Sequence, residues 1–141
     1  MKSKKLSKNT TSRILPYSRQ YLDKADIKSV YNVLKSDYLT QGNQVNKFEE
    51  LLKKKVGAKF AIAVNSATSA LHLACIALDL KKGDSLWTVP NTFVASANCG
   101  LYCGSAVDFV DIDPDTFNID VSELEKKLKK TPKKKLPKVL V

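Results

Sequence analysis

No stretch of this chain approaches the roughly 18 consecutive apolar residues that a membrane-crossing helix needs, although 43% of its residues are hydrophobic. The opening, Met1 to Ser12, is basic and polar with no apolar stretch behind it, so no secretory leader is expected. Histidine is nearly absent. His72 is the only one, and no Cys/His, Ser/His/Asp or paired-carboxylate set can be assembled around it. Its place between apolar neighbours suits a hydrogen-bonded core or surface histidine. The three cysteines, Cys75, Cys99 and Cys103, are odd in number and lack zinc-type pairing. Cys99 and Cys103 are four apart, which on a helix makes a pair of small hydrophobes on one face. Free thiols and no expected leader point to the cytoplasm.

Acidic residues are missing from both ends. Residues 1–22 carry six Lys/Arg and residues 126–141 carry eight Lys, with no acid in either. The middle, 23–125, carries ten basic and fourteen acidic residues. The net charge of +10 therefore resides in the ends, which reads as solvated tails or helix faces, with a polyanion-binding patch as the alternative. Only two of the 24 cationic residues are arginines, Arg13 and Arg19. Without Arg-rich or aromatic interleaving there is no platform for base stacking. The 141 residues amount to about one domain, and the apolar content is enough for a core.

What is present is alternation. Asp23 is a helix N-cap with Asp26 three residues on. Ile27, Val30, Tyr31 and Leu34 follow at helical spacing. A second helix is expected to carry Val45, Phe48, Leu52 and Val56 inward and to stop at Gly57. Phe60 to Val64 is a short apolar run that predicts a strand buried on both faces. A helix carrying Leu71, Ala74, Cys75 and Leu78 comes next. After the Gly83-Asp84 turn, Ser85 to Val89 predicts a strand closed by Pro90. Thr92 to Cys103 predicts a helix ended by Gly104, and Ala106 to Ile112 a third strand. Asp113-Pro114-Asp115 is a turn. Ser122 caps a helix carrying Leu124 and Leu128, and Val139 to Val141 begins a fourth strand. Strands alternating with helices imply an α/β layer with a mostly parallel sheet. The apolar strand at Val141 leaves a sheet edge unfinished, so the chain is expected to be the N-terminal portion of something longer.

Two places suit a ligand. Asn65-Ser66-Ala67-Thr68-Ser69 joins a strand to a helix, where open N–H groups and the helix dipole favour an anion such as phosphate. Simple N-capping by Ser or Thr is the alternative. Pro90-Asn91-Thr92-Phe93-Val94-Ala95-Ser96 lies past a strand's carboxyl end, where open α/β sheets bind ligands. Phe93 there can lie flat on a planar ring or belong to the core. Asp111-x-Asp113 could hold a metal, but a turn built from Asp, Pro and Asp is the commoner use.

Leu15-Pro16-Tyr17-Ser18-Arg19-Gln20, Ser36-Asp37-Tyr38-Leu39-Thr40-Gln41-Gly42, Phe48-Glu49, Asn65 to His72, Pro90 to Ala95 and Val110-Asp111-Ile112-Asp113 occur in that order. The ordered set closely resembles the DegT/DnrJ/EryC1/StrS family of sugar aminotransferases that use pyridoxal 5'-phosphate (PLP). The resemblance runs from about residue 14 to the end. It implies the type I PLP-transferase fold, with residues 13–141 an incomplete N-terminal portion of the large PLP-binding domain and 1–12 a basic tail. It implies a homodimer, with no nucleic-acid or membrane partner. It implies that Ser66, Ala67 and Thr68 hold the cofactor phosphate and that Phe93 stacks on its ring. Leu39, Thr40, Gln41, Gly42 and Asn91 would lie near a UDP-sugar substrate.

The implied reaction moves an amino group from a glutamate-type donor to C4 of a UDP-linked 4-keto-6-deoxy amino sugar, in nucleotide-sugar and pseudaminic acid biosynthesis. The family's Schiff-base lysine, and the Asp that pairs with the pyridine nitrogen, belong to a later part of the family's pattern, beyond Val141. No catalytic residue is therefore assigned within the chain, and alone it is expected to be inactive. The competing reading is a non-catalytic phosphate or sugar-nucleotide-binding module.

Overall fold

The computed structural model describes residues 15–141, so the basic tail expected at 1–12 lies outside the described residues. The chain packs as two units, Met1–Phe48 and Glu49–Val141. Among the described residues no helix is long and apolar enough to cross a membrane.

In the first unit α1 spans Lys24–Leu34. Asp23 caps it as its sequence predicts: its carboxylate accepts from the N–H groups of Ala25 and Asp26, while Asp26 returns a bond to the Asp23 N–H. This is a complete capping box. Helix α2, Asn43–Val56, starts in this unit and runs across the boundary. It ends where Gly57 turns left-handed at φ +67°, and Ala58 N–H bonds back to Lys53 O at 3.1 Å. That six-to-one bond closes the helix terminus.

The second unit holds a parallel sheet in the order β2-β1-β3, with β1 Ser85–Thr88, β2 Ala106–Phe109 and β3 Val139–Leu140. Helix α3 is Ala67–Ala77, α4 is Ala95–Tyr102 and α5 is Val121–Lys130. The register pairs Leu86 with both Val107 and Val139, and Trp87 with both Asp108 and Leu140. Paired residues share a face. Leu86 and Val139 pack with Cys75, Leu80 and Cys99, so one face is covered by α3 and α4. On the other face Lys127 of α5 sits over the Trp87 ring at 4.7 Å and pairs with Asp108 at 2.7 Å. That contact holds the Asp108 carboxyl below the usual carboxylate range.

Helices on opposite faces are what right-handed crossovers demand when β1 to β2 runs one way and β2 to β3 the other. Cys75 and Cys99 lie in the core, while Cys103, expected to be buried beside Cys99 on one helix face, is half-buried at the C-cap of α4. Burial, then a bond with Cys99, pushes the Cys75 thiol up to about 12.

The expected inward face of α2 is not found: Val45, Phe48, Leu52 and Val56 are all exposed, because nothing among the described residues covers that side of the helix. Two further expectations are corrected. Residues 60–64 form no strand: β1 pairs only with β2 and β3, and Phe60 and Ile62 are 74% and 79% exposed. The segment is extended, with Ala61 and Ala63 half-buried, and the Ala63 N–H donates to a Glu49 carboxylate oxygen at 2.8 Å. An apolar run becomes a strand only where another strand offers a ladder, and none does here. The second correction concerns α5. Its cap is Asp120, whose carboxylate accepts from Ser122 N–H and Glu123 N–H at 2.8 and 3.1 Å. Asp and Ser cap about equally well, so the angle at which the chain enters the helix decided between them.

Candidate functional site

Connection lengths place the N-terminus of α3. Only residues 78–84 separate α3 from β1, and Cys75, near the end of α3, packs with Leu86, near the start of β1. Helix α3 therefore runs back along β1, and Ser66, Ala67 and Thr68 stand toward the carboxyl edge of the sheet. The loops leaving β1 and β2 lead to helices on opposite faces, so the carboxyl ends of these two strands form a topological switch point, where open α/β sheets bind ligands. Asn91 and Phe93 leave β1 at that edge.

Ser66 is the N-cap of α3, its hydroxyl accepting from Ser69 N–H at 3.2 Å. The Ser66 hydroxyl also bonds Ser69 Oγ at 3.1 Å, and the Ser69 hydroxyl donates to Asn65 Oδ1 at 2.6 Å. The capping reading is thus realised at Ser66. The first intrahelical bond is Ala70 N–H to Ser66 O. The N–H groups of Ala67 and Thr68 lie ahead of it and have no carbonyl four residues back in the helix to bond. Thr68 stands outside the Asn65–Ser66–Ser69 net, and its side chain is half-buried. Capping and anion binding are therefore compatible here: one serine closes the helix while the next two positions keep donors open. Sequence reasoning included Asn65 in this stretch but gave it no role; its oxygen fixes the Ser69 hydroxyl. An asparagine directly ahead of Ser-x-x-Ser was the available signal.

Phe93 is 73% exposed. Helix α4 begins at Ala95 and not at Thr92, so Phe93 stays off the helix and out of the core. Asn91 is exposed beside it, and the hydroxyls of Thr92 and Ser96 bond at 3.0 Å. At the end of β1, Thr88 is 1% exposed and its hydroxyl has no partner.

Leu39, Thr40, Gln41 and Gly42 belong to the first unit, in the bend between α1 and α2. Gln41 takes φ +55°. A Cβ on Gly42 would stand 3.2 Å from Tyr38 O, so glycine permits the tight approach. These four residues form one group and the 66–68 and 91–93 residues form another.

The Asp111/Asp113 pair is used by a turn. Asp113 accepts from Asp115 N–H, Thr116 N–H and the Thr116 hydroxyl at 2.9, 2.8 and 3.1 Å. Those bonds hold its carboxyl below the usual range. His72 is half-buried and meets Tyr102 edge-on, with ring centroids 5.2 Å apart.

The open donors of Ala67 and Thr68 fit a phosphate, and the exposed Phe93 fits a planar ring. Both are the chemistry of PLP.

Residues 20–137 match the model of the DegT/DnrJ/EryC1/StrS aminotransferase family. The chain is 47% identical over 117 residues to UDP-4-amino-4,6-dideoxy-N-acetyl-beta-L-altrosamine transaminase of Campylobacter jejuni, covering 83% of this chain and 31% of that protein. Helicobacter pylori PseC, an aminotransferase involved in the biosynthesis of pseudoaminic acid, superposes with a TM-score of 0.74 at 36% identity, covering 89% of this chain and 33% of that one. The PLP form of Spr1654 from Streptococcus pneumoniae, described as a sugar aminotransferase, superposes with a TM-score of 0.73 at 30% identity, covering 79% and 29%. The chain spans about a third of the length of the curated relatives it matches. Its α/β architecture is that of the PLP-dependent transferases. The chain belongs to the DegT/DnrJ/EryC1/StrS aminotransferase family.

Proposed function

We propose that this chain supplies the phosphate and ring contacts of a PLP-dependent sugar-nucleotide aminotransferase. The activity is amino transfer from a glutamate-type donor to C4 of a UDP-linked 4-keto-6-deoxy amino sugar. The observation that carries this reading is the pair of open N–H groups at Ala67 and Thr68, set at the same sheet edge as the exposed Phe93. Ala67 and Thr68 bind the phosphate through backbone N–H groups, the Thr68 hydroxyl and the helix dipole. Phe93 orients the ring by stacking. When bound, PLP supplies the electron sink of the reaction. Asn91 contacts the sugar nucleotide. The enzyme acts as a homodimer, as the family resemblance implies, and in the cytoplasm, where free thiols persist.

Thr68→Val should weaken PLP retention by about 1–3 kcal/mol, the scale of a lost hydrogen bond to a charged group. Equal PLP affinity of variant and parent in a titration would remove Thr68 from the cradle.

Phe93→Leu keeps most of the volume and loses the flat face. Because Phe93 is exposed, the urea midpoint should shift by no more than about 0.5 kcal/mol in free energy, while PLP affinity falls. A large loss of stability with intact PLP binding would return Phe93 to a packing role.

A further inference from the structure

The lysines of 126–141 divide into two sets. Lys126 pairs with Glu123 at 2.7 Å, Lys127 with Asp108 at 2.7 Å, Lys129 with Glu125 at 2.5 Å and Lys138 with Asp84 at 3.2 Å. Lys130, Lys133, Lys134 and Lys135 have no carboxylate partner among the described residues, and every acid of the chain falls within those residues. Lys133–Lys135 form a single 3-10 turn between Pro132 and Pro137. The two prolines stiffen the backbone on either side.

Three of the four unpaired lysines, Lys130, Lys134 and Lys135, line one groove of about 610 Å³. Two acids also line it, Asp84 and Asp108, but each already carries its own lysine, Lys138 and Lys127. Three positive charges are left unbalanced. The groove also borders Trp87 and Leu136. Apolar walls of low dielectric concentrate the field of nearby charges, so an anion entering the groove gains more than it would on an open lysine face. Lysine offers point charges and no planar fork. Trp87 is 2% exposed, so its ring is closed to a stacking base. The arrangement therefore selects for charge density and not for shape.

The geometry points to a binding site for adjacent phosphates, a di- or triphosphate, gripped by Lys130, Lys134 and Lys135. Gly83, Ser85 and Ala106 line the same groove, which places it at the amino edge of the sheet. The cofactor residues stand toward the carboxyl edge, so this site is separate from the proposed PLP cradle and does not depend on it.

The test uses inorganic triphosphate as probe, titrated into the 141-residue chain and read by Trp87 fluorescence, the chain's one tryptophan, and by calorimetry. Saturable one-to-one binding is expected, weakening steeply with salt. The variant Lys130→Ala/Lys134→Ala/Lys135→Ala should lose roughly 30-fold or more in affinity, three charge-assisted contacts having been removed. A control, Lys28→Ala/Lys54→Ala/Lys55→Ala, removes the same charge elsewhere and should lose less than about threefold. Circular dichroism checks folding, and the matching Lys→Gln triple replaces the alanine variant if that one unfolds. Equal losses in the two triples would reduce the effect to net charge and overturn the site. So would unchanged affinity in the groove variant. Tighter capture by phosphatidylglycerol vesicles or single-stranded DNA than by triphosphate, abolished by the groove variant, would reassign the patch to a surface or a polymer and overturn the proposal as stated.

Discussion

Leu86→Ala should cost about 2–5 kcal/mol of stability, the range for truncating a fully buried leucine. Leu86 is 0% exposed and lies at the centre of the cluster formed with Cys75, Leu80, Cys99 and Val139. Its Cβ, and that of any replacement, is held against α4: a Cβ built on Gly100 would stand 3.1 Å from Leu86 Cβ and 3.1 Å from Val107 Cγ2. The helix is already at its closest approach there, so little room exists for collapse onto the vacated space, and the cavity should persist. The buried hydrophobic core is small, with Trp87, Ala95 and Val110 completing it. A loss of this size is a large fraction of the 5–15 kcal/mol typical of a domain. Trp87 is 2% exposed beneath Lys127, so its fluorescence in a urea titration reports unfolding directly. A shift below about 1 kcal/mol would show that the α3/α4 face does not hold this unit together.

The second large effect is catalytic. The 141-residue chain should show no aminotransferase activity by itself, with rates indistinguishable from those of PLP free in solution. Transamination needs a lysine to hold the aldehyde and move the proton at the substrate carbon, and a carboxylate to keep the pyridine nitrogen protonated. No lysine occurs at 60–80 or at 83–125, the stretches that build the carboxyl edge. Lys81 and Lys82 follow the far end of α3, and Lys81 is tied to Asp79 at 2.6 Å. After PLP is added and borohydride applied, mass spectrometry should find no stoichiometric pyridoxyl-lysine at any one position. General acid–base catalysis by a positioned side chain is worth about 10²–10⁴-fold, so its loss alone would be evident. A single modified lysine accompanied by turnover of amino donor and keto-sugar would overturn this expectation. Phosphate-end binding without turnover would agree with it.

The apolar side chains that remain outside bear on how such experiments are run. Phe60 and Ile62 are exposed, as are Val45, Phe48 and Val56 along α2. Exposed apolar side chains of this size favour association, so affinities should be measured across protein concentrations.

The sequence by itself determined the elements whose signals are local. Helix α1 is written in Asp23 and the spacing of Ile27, Val30, Tyr31 and Leu34, because a capping box and a 3.6-residue period are properties of one segment. The stop of α2 at Gly57 is equally local, since a left-handed residue suits glycine whatever lies around it. Strands β1 and β2 were legible as apolar runs between turn residues, and the ordered motifs marked the family. Tertiary structure decided everything that needs a second segment. Residues 60–64 have the composition of a strand but no pairing strand, and a ladder cannot form from one side. Asp120 displaced Ser122 as a cap through the direction from which the chain arrives. Phe93 could have been core by composition; the start of α4 two residues after it left the ring outside. The four unpaired lysines are likewise indistinguishable in sequence from their paired neighbours. Only folding brings Asp84 to Lys138 and Asp108 to Lys127, and so leaves Lys130, Lys134 and Lys135 with charge to spare.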